Sequence, residues 1–221
     1  GLAAAMVVRM SELGRQAHSA NALMLADGAL GPIIGRDRGD RAFVQKIIDV
    51  NCDIPEATRG IDVTSGMQLY GIGFDPDPAV IASGLEAARE LQRATSIDDG
   101  LFLLMSWLVA NGAAFVGDTV LGDEMERALA PFELRFVLDG TGSVCHEPVA
   151  AALARLAAAA GDAELAAARF ERAVAAARRI GAPIMQRLLE AEASAAMRGG
   201  ARRSVAESTV PTARRGQLER Q

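Results

Sequence analysis

Cys145-His146-Glu147 is the densest run of reactive side chains in this sequence. A nucleophilic cysteine needs a base facing it, and neighbours along one backbone point in different directions. The run is therefore expected at the entrance of a helix beginning near Pro148, where Glu147 favours the positive end of the dipole. Catalysis or metal binding at this run is the competing reading. His18 stands alone and reads as a surface or capping residue. Asp75, Asp77, Asp98 and Asp99 suggest calcium by type, but their spacing fits no coordination loop, and Asp77 before Pro78 has the pattern of a helix cap. No GxxxxGK[ST] segment occurs, so the phosphate-gripping lysine of P-loop enzymes is missing. The glycines between Gly28 and Gly35 supply no lysine either. Gly140-Thr141-Gly142-Ser143 has the composition of an anion-binding nest, with a plain loop as the simpler reading. Cys52 and Cys145 are too few and too far apart for a zinc knuckle or a disulfide framework. No cofactor, no metal and no catalysis are expected.

The elements that must position these residues are helices. Leu2 to Leu13 has helical apolar spacing, Gly14 weakens it, and Gln16 to Leu30 resumes it until Gly31-Pro32 forces a kink or an end. After a polar connector from Gly35 to Asp40, Phe43, Val44, Ile47, Ile48 and Val50 mark a helix over Arg41 to Asn51. Glu56 to Tyr70 is the poorest helix, weakened by Gly60, Val63, Thr64 and Gly66. Gly71 to Pro78 is a turn before Ala79 to Arg93. Ser96 or Asp98 should cap the most apolar helix, Leu101 to Phe115. Gly117-Asp118 breaks it, and Thr119 to Leu129 returns until Pro131. Phe136-Val137-Leu138 reads as a short strand-like piece before a glycine loop. Pro148 to Ala182 is then an alanine-rich pair of helices split by Gly161-Asp162. A break this short folds the two back on each other, and alanine at the seam allows a close approach. Ile184 to Met197 is the last helix, and residues 198–221 read as a disordered, Arg-rich tail.

Composition agrees with helices packed through small side chains. Half of the 221 residues are apolar and only 4% are aromatic, too few for a sandwich or barrel. Of the 23 basic residues all but Lys46 are arginine, which reads as coding bias and not as chemistry. The net charge is −5, and the tail from Arg198 carries six arginines against Glu207 and Glu219, so the body is more acidic still. An acidic body argues against a nucleic-acid face. With few cysteines, no signal peptide and no apolar run of membrane length, a reducing cytoplasm is expected. A first residue that is Gly1 and not Met suggests a fragment of a longer polypeptide.

The breaks near Gly35, Gly73, Gly117 and Gly161 recur at intervals of roughly 40 residues, in the range of helical-hairpin repeats. Around Gly161, Leu153 and Ala154 take the leucine and small positions of a first helix. Ala166, Phe170 and Ala173 take the small, aromatic and small positions of a second, and the closing proline comes late, at Pro183. This resembles a tetratricopeptide repeat. With Leu129 to Phe132, Arg135 to Leu138 and Arg179 to Pro183, the chain is similar to the tetratricopeptide-like C-terminal region of actinobacterial multidomain ATPase regulators, some of which end in a LuxR-type helix-turn-helix. The likeness runs from Gln16 to Met197 and implies an all-α fold: antiparallel helical hairpins stacked as a right-handed superhelix, one domain over residues 1–197.

In such a stack the first helices line the concave side, where partners dock. That register puts Trp107, Asn111 and Arg155 on the groove as a peptide clamp, with Trp107 as ordinary core the simpler reading. The expected function is a non-catalytic protein-interaction or sensor arm of a cytoplasmic bacterial regulator. It would bind a protein or peptide partner, another domain of a longer polypeptide, or an inducer, with no nucleic acid and no membrane. The alternatives are a small-molecule-binding or enzymatic domain with a pocket near Gly140 to His146, and a homo-oligomeric scaffold. The interaction reading predicts an open groove and no buried, convergent polar cluster. A closed pocket joining Cys145, His146 and a distant carboxylate would sink it.

Overall fold

The computed structural model describes residues 2–23, 25–26, 30–31, 34–35, 40, 42–43, 85–86, 88–90, 92–138 and 144–208. The helix over Arg41 to Asn51 (beyond its first residues), the segments Asp53 to Pro55, Glu56 to Tyr70 and Gly71 to Pro78, the caps Asp75 and Asp77, Cys52, and the Gly140 to Ser143 loop lie outside these residues. What is described is mostly helical, with one small antiparallel strand pair.

α1 (Leu2–Gln16) and α2 (Ala20–Leu23) pack on each other. The sequence places a weak point at Gly14, yet α1 runs through it. The reason is proximity: a Cβ at Gly14 would lie 3.1 Å from both Ala22 Cβ and Leu23 Cδ2, tighter than most side-chain contacts, so glycine eases this approach. His18 sits in the turn with φ +50°. Leu25, Ala26 and Leu30 follow a π-helical path just ahead of Pro32. Asp40 Oδ1 accepts the Phe43 amide at 3.0 Å and starts the helical residues 42–43.

α3 (Phe102–Val116) is apolar around its whole circumference and is buried from Leu104 to Ala113, as a central helix must be. Neither Ser96 nor Asp98 caps it. Asp99 does the local work, its Oδ1 accepting the Leu101 amide at 2.8 Å. α4 (Thr119–Leu129) returns along α3 and ends in a 3₁₀ turn over Ala130–Phe132. α5 (Val149–Ala160) and α6 (Ala163–Arg179) form the second pair. Both breaks have the same build: Gly117 and Gly161 close a helix at φ +74° and +88°, and the next aspartate caps the following one. Asp118 accepts the Leu121 amide at 3.0 Å and Asp162 the Leu165 amide at 2.9 Å. A left-handed glycine followed by a capping aspartate satisfies both helix ends at once.

α7 (Pro183–Ser208) starts after a third left-handed glycine, Gly181. Its backbone stays helical past Gly199-Gly200 to Ser208, beyond the expected end at Met197. β1 (Phe136–Leu138) pairs antiparallel with β2 (Cys145–Pro148), Phe136 opposite Pro148 and Leu138 opposite Cys145. β2 thus carries one residue more than β1 between the two pairings, a bulge that breaks strand alternation. As a result His146, Glu147 and Pro148 are all buried.

α4 packs against both α3 and α5, and α6 against both α5 and α7. The main core joins Trp107, Leu108 and Val109 of α3 to Leu121, Met125 and Leu129 of α4 and to Leu153 and Leu156 of α5, with Val137, Leu85 and Ala88 closing it. A second cluster, Ala150, Ala151, Ala173, Ala177 and Leu189, seals α5, α6 and α7 with mostly methyl groups. Small side chains here bring the helix axes close, where larger ones would overpack. Among the described residues no helix is long and apolar enough to cross a membrane.

Candidate functional site

The three residues expected on the groove do meet, but inside the fold. α3 delivers Trp107 and Asn111, 3% and 7% exposed; β2 delivers His146 and Glu147, each 2% exposed. α5 is buried from Val149 to Ala157 except where Arg155 emerges, and α7 adds Glu192. Glu147 is the hub. Its Oε1 accepts Trp107 Nε1 at 2.5 Å and a guanidinium nitrogen of Arg155, while its Oε2 accepts Arg155 Nη2 at 2.8 Å. Arg155 Nη1 also donates to Asn111 Oδ1 at 2.8 Å, and Arg155 Nε donates to Glu192 Oε2 at 2.7 Å. The His146 ring stacks on the Trp107 indole, centroids 5.2 Å apart and planes 28° apart.

The electrostatics follow from this geometry. Burial works against the charged guanidinium, but Glu147 and then Glu192 outweigh it, so the Arg155 pKa is raised well above its ordinary value. A planar fork held bidentately by one carboxylate is the geometry arginine suits and lysine does not. The Arg155 side chain is about one-fifth exposed and that of Glu192 about two-fifths. The network therefore runs from the buried indole to solvent at α7.

Two sequence expectations change here. Glu147 does sit at the entrance of α5, just before its N-cap Pro148, but it lies in β2 and its carboxylate is bound by Trp107 and Arg155. A buried, convergent polar cluster exists where the interaction reading expected none, and Trp107 and Asn111 are part of the packed interior and not of an open groove. Cys145 stays apart from it. The cysteine is exposed, and partial burial of its thiol pushes the pKa up, which disfavours a thiolate. Among the described residues no three His, Cys, Asp or Glu side chains are grouped to hold a metal.

Glu192 is the member that sequence reasoning missed; His146 and Glu147 stood out as a reactive run, but not as partners of Trp107 and Arg155. One signal was present: Asn111 and Arg155 stand 44 positions apart, the same interval that separates Gly117 from Gly161. They occupy equivalent positions of successive hairpins. A second arginine cross-links the other helices of the two pairs. Arg169 of α6 holds Glu126 of α4 bidentately, reaches the Leu153 carbonyl at 3.2 Å, and lies 3.7 Å from Glu133, which Arg172 also binds.

No family model, no curated protein and no solved structure matches this chain.

Proposed function

We propose that the chain is a non-catalytic interaction or sensor arm of a cytoplasmic bacterial regulator, built as a tetratricopeptide-like right-handed superhelix. It binds a peptide, a partner domain or an inducer on the first-helix side, where α5 and α7 reach the surface. The observation that carries this reading is the row Asn111–Arg155–Glu192: one guanidinium on the middle first helix holds the first helix before it and the one after it. Nearest-neighbour linkage of this kind is how stacked repeats share stability. The packing of α4 between α3 and α5, and of α6 between α5 and α7, supports the same arrangement. On this reading Trp107 and Asn111 position the row from within, and the surface a partner meets is its outer end at Arg155 and Glu192. Coupling to an ATPase or to transcription follows only from the family resemblance.

The burial of His146 against Trp107 beside a carboxylate favours a second reading, a small-molecule or enzymatic site near Gly140 to His146. Against it, both Glu147 oxygens are engaged by Arg155, and Cys145 combines an outward position with a raised pKa. A carboxylate neutralised by a bound guanidinium is a poor general base.

Selection of a displayed random-peptide library on the purified chain tests the proposal. For a selected peptide, Glu192→Arg is expected to weaken binding about tenfold, roughly 1.4 kcal/mol. Glu171→Arg, on the exposed face of α6, should leave the affinity unchanged. Equal losses in both variants, or none in either, would contradict the reading.

A further inference from the structure

We draw no further inference here: the strongest candidate, the open apolar groove between α1 and α2 lined by Met6, Met10, Leu13, Ala17 and Ala22, carries none because nothing in the structure shows what covers it.

Discussion

Two carboxylates and one amide meet a single guanidinium at Arg155, and the partners differ in how much they depend on it. Glu147 is 2% exposed, so removing Arg155 leaves a buried carboxylate without its bidentate cation. Arg155→Met is expected to cost about 3–5 kcal/mol, read by urea unfolding through the fluorescence of Trp107, the sole tryptophan. Arg155→Lys should recover little, because an ammonium cannot span both Glu147 oxygens and Asn111 together. A loss below about 1 kcal/mol, the range of exposed pairs, would mean that the cluster is decoration. The raised Arg155 pKa implies stability that is present at neutral pH and lost as pH rises through the folded-state value, above any working range. Cys145 gives a pH-dependent readout. Its thiol is pushed up by burial, so in a Cys52→Ser background its alkylation should be slower than that of free cysteine at neutral pH. The rate should keep climbing after free cysteine has levelled off. A rate that saturates near neutrality would reveal an activated thiolate and revive the enzymatic reading.

At the scale of elements, the helix ends were the most legible part of the sequence, because Gly-Asp states the same instruction twice. Gly161→Ala meets no atom within 4 Å, so its cost is purely that of a left-handed backbone. About 1–2 kcal/mol is expected, and Asp162→Ala should add about 1 kcal/mol through the lost cap. Thermal or urea midpoints measure both, and a neutral Gly161→Ala would contradict the capping account. The strand pair was only half legible. Phe136-Val137-Leu138 looked extended, whereas Cys145 to Pro148 reads as a helix entrance from sequence. It is that entrance, since α5 begins at Val149, and it is also a strand bulged against β1, a property of pairing that no local run of residues announces. The pairing gives Glu147 its role. Gly14 errs the opposite way: its low propensity marks a close contact between α1 and α2, not an end.

For the whole molecule, the interval of the breaks carried more information than any motif. It places Asn111 and Arg155 at equivalent positions of successive hairpins, and the hydrogen bond between them at 2.8 Å fits that register. Its limit was depth: spacing can say which helix face a residue shares, but not whether a strand pair and a neighbouring helix cover that face. Leu85, Ala88 and Val137 complete the core around Trp107, and among the described residues the row opens to solvent toward α7. On the proposed function a partner docks where α5 and α7 bring Arg155 and Glu192 to the surface, with α3 linked to that end through Asn111. Hydrogen exchange on the chain with and without a selected peptide tests it most directly. New protection is expected in α5 and α7 around Arg155 and Glu192, with weaker protection in α3 transmitted through Asn111. Protection confined to α4 and α6, or to the α1–α2 groove, would contradict it.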